Sequence, residues 1–233
     1  MKISEIIQRV QSIYSKGTQS DDTRLSNRHI YNKMLTVRAK LISQKAKKKQ
    51  KVSQFNYQTL PCVELIKVPA HECPCLPPLG CDILRSKYEL PQILAGLSGE
   101  LIEWVRTIEK SVKIDYISIN ALNAQKGNKY TSKNSYYFIE NGYLYISTPR
   151  KLKVVSIRAL FEDPLEAETF KQYCDSCKDC PTCIDYLEQD FPIDNDLIDT
   201  LVQLTLEEVV MLFSQSVEDT TNNTRDNLKE QSK

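Results

Sequence analysis

The chain has 233 residues, 41% of them hydrophobic and 26% charged, with a formal net charge of +1, which is enough to bury one large core or two small ones without disulfides. No apolar run approaches the ~18 residues of a membrane span, and "MKISEIIQRVQSIYSKG" mixes charge with apolar positions and lacks a small-residue cleavage site, so neither a transmembrane protein nor a secretory signal is expected and a reducing cytoplasm is the expected place of synthesis. The small net charge hides a polarity, because residues 1–51 carry 13 Lys/Arg against 3 Asp/Glu, whereas from Leu160 onward 18 Asp/Glu stand against 5 Lys/Arg.

Ile3, Ile6, Ile7, Val10, Ile13 and Tyr14 recur at helical spacing up to Gly17, where a C-cap is expected. A second helix is expected from the cap-type Ser20, past Asp21 and Asp22, through Leu25, Tyr31, Met34, Leu35, Val37, Leu41 and Ile42. Its end is loaded with Lys45, Lys47, Lys48, Lys49 and Lys51, more cations than a helix terminus needs. These lysines are either a solvated helix end or an interaction site for acidic protein, phosphate, or the acidic end of a second copy.

From Tyr57 short extended runs take over. "YQTLPCVELIKV" is followed by the Pro- and Cys-rich "PAHECPCLPPLGC", which reads as an irregular loop, and then by "ELIEWVRTIE" and "KIDYISIN". In "SYYFIENGYLYIST" the pair Asn141-Gly142 between aromatic, β-branched runs predicts a hairpin with a type I′ turn. A strand over "KLKVVSIRALFE" follows. Helix returns at "DPLEAETFKQY", with Asp163 as cap and Pro164 at the first helical position, and at "DNDLIDTLVQLTLEEVVMLF", with Leu197, Leu201, Leu204, Val209 and Leu212 near one stripe. The fold class expected is α+β: a basic N-terminal helical hairpin or bundle (1–52), a central antiparallel β region with a hairpin (53–162), an acidic helical region with a cysteine cluster (163–214), and a polar, disordered tail (215–233).

The chemistry-bearing residues are few. Cys174, Cys177, Cys180 and Cys183 form C-x2-C-x2-C-x2-C, and Cys62, Cys73, Cys75 and Cys81 with His71 form a looser group. Four thiolates within ten residues converge poorly on one tetrahedral zinc, so a structural zinc would more easily borrow from both groups. The iron–sulfur spacing C-x2-C-x2-C-x3-C-P is missed by one residue, and Pro181 follows the third cysteine. Free thiols, or disulfides formed once the protein leaves the cell, remain the other reading. The two histidines, His29 and His71, sit in no triad or metalloprotease motif, and the isolated glycines build no phosphate loop. No enzyme is nominated and no cofactor is required, with zinc on Cys174, Cys177, Cys180 and Cys183 kept as a structural candidate.

Three segments, "SDDTRLSNRHIYNKMLTVRAKLISQKAKKKQKVSQFNYQTLPCVEL", "VVSIRALFEDPLEA" and "DFPIDNDLIDTLVQLTLEEV", resemble the corresponding parts of a virion structural protein of crAss-like tailed bacteriophages, and together span about a third of the chain. The resemblance implies a non-enzymatic subunit of a head-to-tail connector, or adaptor, ring beneath the portal of a short-tailed phage. It further implies twelve subunits, contacts with the portal protein and with further neck or tail rings, non-specific contact with packaged DNA, and a place in the virion rather than at a membrane. The alternative from the residues alone is a cytoplasmic zinc- or cluster-containing regulator that binds nucleic acid through Lys45, Lys47, Lys48, Lys49 and Lys51.

Overall fold

The computed structural model describes residues 1–17, 25–68, 83–96, 99–174 and 185–214. Ser20, the Pro/Cys loop with His71, the cysteines Cys177, Cys180 and Cys183, and the tail from residue 215 lie outside them. In chain order the elements are α1 (Ile3–Tyr14), α2 (Asn27–Lys47), β1 (Gln58–Lys67), β2 (Ile83–Ser86), β3 (Ala95–Gly96), β4 (Gly99–Glu100), β5 (Ile102–Thr107), β6 (Lys113–Tyr116), α3 (Ile119–Gly127), β7 (Tyr136–Glu140), β8 (Tyr143–Ser147), β9 (Val154–Ala159), α4 (Pro164–Thr169) and α5 (Asn195–Ser214).

The helices α1, α2 and α5 form one layer. α1 buries Ile3, Ile6, Ile7 and Val10, an i, i+3, i+4, i+7 set that fills a single face, and Ile13 beyond it is 52% exposed. The helix ends in a Schellman turn, in which Lys16 N–H donates to Ile13 O and Gly17 N–H to Ser12 O, with both residues at positive φ. Ser26, not Ser20, is the cap of α2 and accepts from the His29 N–H. Leu25 before that cap and Ile30 in the first turn share the core, the arrangement of a hydrophobic staple. The far end of α2 repeats the Schellman turn, with Lys49 N–H donating to Ala46 O and Gln50 N–H to Lys45 O, and with Lys49 at φ 55°. Leu201, Val202 and Val209 of α5 complete this core together with Phe191 and Ile193.

The strands close into a barrel in the order β1-β2-β8-β7-β6-β5-β9, with β9 returning to β1 and no free edge left in it. Val155, Ile157 and Ala159 of β9, Leu144 and Ile146 of β8, Val105 and Ile114 fill its interior, following the two-residue period of a strand. In β1 the buried positions are Leu60, Cys62, Val63 and Leu65, and the change of parity between Cys62 and Val63 falls within the bulge. The turn at Asn141 and Gly142, with φ of 51° and 76°, joins β7 to β8 as the sequence predicts. The β region departs from a purely antiparallel arrangement at one place: β6 and β7 pair in parallel. Parallel neighbours need a long crossover, and this one contains α3, a helix the Asn-rich sequence does not announce.

Two features join the helical layer to the barrel. Ile42, Val52, Leu94 and Leu160 form a small shared core. Arg38, fully buried, donates from Nε to Pro192 O (2.9 Å) and from Nη1 to Phe161 O (2.8 Å), with longer bonds to Glu162 O and Asn56 O (both 3.4 Å). Burial pulls its guanidinium down to about 10, which leaves it charged at neutral pH, and the backbone carbonyls take the place of water around it. Beside it the Tyr31 hydroxyl donates to Asp163 Oδ1 (2.8 Å), and burial together with this bond raises the phenol well above its ordinary value. Asp163 also accepts from Leu165 N–H and caps α4, with Pro164 at the first position as expected.

Candidate interaction surfaces

The basic N-terminal segment and the acidic C-terminal segment meet first within the chain. Lys2 pairs with Glu188 (2.5 Å), Arg9 with Asp199 (3.3 Å), and Lys33 and Lys40 share Glu208. Lys45 reaches Asp194 at 3.1 Å and Asp196 at 3.3 Å. Burial alone would lower the Lys45 ammonium, but its hydrogen bonds to these two carboxylates outweigh that and hold it above its ordinary value. These pairs set α2 antiparallel to α5 and run α1 alongside α5. Lys45 is therefore committed to its own chain.

The other four residues of the lysine cluster are placed differently. Lys47 ends α2, Lys48 is its C-cap, and Lys49 and Lys51 follow the reversal, all four exposed. Among the described residues none of them forms an ion pair. Two other described cations of the segment without an ion pair among the described residues, Lys16 and Arg28, sit at the opposite end of α2, where Gln11 bonds to Asn27.

An acidic counterpart lies on the barrel side. A cleft of about 580 Å³ is lined by Glu89, Glu100 and Glu166 together with Leu90, Pro91 and Ile93, and no described Lys or Arg lines it. Leu90 N–H donates to Gly142 O (2.8 Å), and Glu89 lies across the hairpin turn so closely that a Cβ on Gly142 would stand 2.6 Å from its Oε1. Burial raises the Glu100 carboxyl above its usual range with no cation to oppose it. A second groove, of about 630 Å³, runs between α2 and α4 and carries both signs, Lys40 and Lys47 on the α2 side and Glu162 and Glu166 on the other. It shares Gln92, Ala95 and Glu166 with the acidic cleft.

Of the eight cysteines, Cys62 and Cys174 lie among the described residues. Cys62, in the β1 bulge, and Cys174 form a disulfide with Cα atoms 5.7 Å apart. The segment before Cys174 lies along the bulge: Cys62 N–H donates to Gln172 Oε1 (3.0 Å) and Tyr173 N–H to Cys62 O (2.9 Å), which engages backbone groups that the bulge removes from the ladder. Zinc binds thiolate, so Cys174 offers no ligand while this bond is intact. Among the described residues no three His, Cys, Asp or Glu side chains are placed to hold a metal ion.

Sequence reasoning finds the lysines but misses the cleft, because Glu89, Glu100 and Glu166 are scattered along the chain and only the fold gathers them. Arg38 did leave a signal: it stands midway between Met34 and Ile42 on the buried stripe of α2, a cation in register with core residues.

Among the described residues no helix is long and apolar enough to cross a membrane. A family model described as phage tail ring protein 2 matches residues 5–228, nearly the whole chain. No curated protein matches.

Proposed function

This chain belongs to the phage tail ring protein 2 family, and from that premise we propose that it is a subunit of the closed homo-oligomeric ring that connects head to tail in a crAss-like phage virion. The match to a tail ring family along nearly all of its length is the observation that carries the reading. A ring whose subunits meet head to tail requires two different, complementary surfaces on each chain. A basic helix end that forms no ion pair among the described residues, and an acidic cleft that no described Lys or Arg lines, fit that requirement. In this reading the role is structural, the ring has twelve subunits to match a twelvefold portal, and its partners are further copies, the portal protein and adjacent neck or tail rings. Non-specific contact with packaged DNA is the competing use of the same lysines.

The test is a mass determination on neck assemblies released from virions. The reading expects twelve copies of this chain in one particle together with portal protein. Absence of the chain from virions, or a metal-loaded monomer or dimer with salt-sensitive DNA affinity, would overturn it in favour of a nucleic-acid-binding regulator.

A further inference from the structure

Building on the ring reading, we infer that neighbouring subunits are joined by seating the basic end of α2 of one copy, Lys48, Lys49 and Lys51, in the Glu89, Glu100 and Glu166 cleft of the next. The inference begins with what the chain has already neutralised. Every cation of α2 from Lys33 to Lys45 either pairs with a carboxylate of the α5 region or, as Arg38, is buried on backbone carbonyls. The exception begins where the helix stops, and there three exposed lysines within four residues face outward from the Schellman turn. On the barrel side the converse holds, with three carboxylates around one cleft and no described cation lining it. Among the described residues the three lysines form no ion pair and no cation lines the cleft.

The cleft is also built to receive something. Its lining places Leu90, Pro91 and Ile93 among the carboxylates, so a docking chain could lay the methylene stems of lysine along the apolar residues while the ammonium groups meet the carboxylates. Because the two surfaces differ, one copy's helix end in the next copy's cleft makes a heterologous contact, which propagates and closes into a ring when the rotation permits. A second copy is thus the occupant whose charge the cleft matches, and it is supplied by the same sequence.

The experiment uses virions grown with variant alleles, with copies of the chain per particle counted by quantitative mass spectrometry. One allele carries Lys48→Glu, Lys49→Glu and Lys51→Glu, the other Glu89→Lys, Glu100→Lys and Glu166→Lys. All six positions are exposed, so each purified variant should unfold at the wild-type temperature, which separates lost docking from lost folding. Each allele alone should be incorporated at least tenfold less than wild type, since like charges then face one another. Co-expressed, the two alleles should restore incorporation, because in an alternating ring every helix end meets a cleft of opposite sign. Normal incorporation of either allele alone would overturn this contact while leaving the ring reading intact. Loss with the lysine allele only would overturn the cleft as acceptor and assign the helix end to the portal, another ring protein or DNA. Failure of the pair to rescue would also overturn it, whereas absence of wild-type chain from virions would instead defeat the ring reading itself.

Discussion

Along the seam between α2 and α5, Lys33 and Lys40 share Glu208 and Lys45 sits between Asp194 and Asp196, whereas the cleft beside the β7–β8 turn is lined by Glu89, Glu100 and Glu166 with no described Lys or Arg in its lining. The charge excess of the N-terminal segment therefore divides into two parts. One part, Lys2, Arg9, Lys33, Lys40 and Lys45, meets the acidic segment of the same chain and helps assemble the helical layer, while the Lys47–Lys51 end forms no ion pair among the described residues. The difference teaches that polarity along a sequence is not in itself evidence of an intermolecular contact; the intramolecular pairs have to be subtracted first.

The most forceful way to break the comparison is at the joint between its two sides. Arg38→Met should cost about 3–5 kcal/mol, because several carbonyls that the guanidinium serves become buried and unpaired. Helical and barrel signals should fall together in denaturant unfolding. A loss below about 1 kcal/mol would show that water replaces the guanidinium there. On the barrel alone, Cys62→Ser removes a cross-link between residues 112 apart in sequence and should lower unfolding free energy by about 2–4 kcal/mol under oxidising conditions. The same variant should match wild type in reductant, and an equal difference in both conditions would mean that packing rather than the bond is responsible.

Gly142→Val sharpens the comparison at the cleft edge. The residue sits at φ 76°, a conformation that costs a β-branched side chain about 1–3 kcal/mol, and its Cβ would displace Glu89. Thermal unfolding should register the loss; an unchanged transition would mean the turn has another geometry.

Much of this was legible in the sequence, and the exceptions have physical causes. The apolar spacing of α1, the Asn141-Gly142 turn and the Asp163-Pro164 helix start are local signals, carried by residues adjacent in the chain. Barrel closure is not local, because the β1–β9 pairing joins Gln58 to Ala159, and the parallel β6–β7 pair depends on a crossover that no short pattern records. The same holds for the sites: five lysines within seven residues are visible as a cluster, but that Lys45 belongs to Asp194 follows only once α5 lies against α2. The cysteine spacing leaves zinc, free thiols and disulfides all open, and only the fold brings Cys62 and Cys174, 112 residues apart in sequence, into one disulfide.

The smallest expected effect concerns Lys45. Its folded-state value lies above the ordinary 10.5, so its pairing contributes stability in full below that pH, and the contribution is lost as pH rises through the folded-state value. Lys45→Met should therefore cost about 1 kcal/mol at neutral pH, and the gap to wild type should narrow above pH 10.5. A gap that is constant through that range would assign the effect to packing of the side chain stem.

The most direct measurement is the density of the virion neck by electron cryo-microscopy, at a resolution that traces α2 and the β7–β8 turn in adjacent subunits. The account predicts a closed ring of this chain in which Lys48, Lys49 and Lys51 of each subunit lie against Glu89, Glu100 and Glu166 of the next. A ring whose neighbours meet elsewhere, with that cleft open to solvent and the lysines turned toward DNA or the portal, would contradict it.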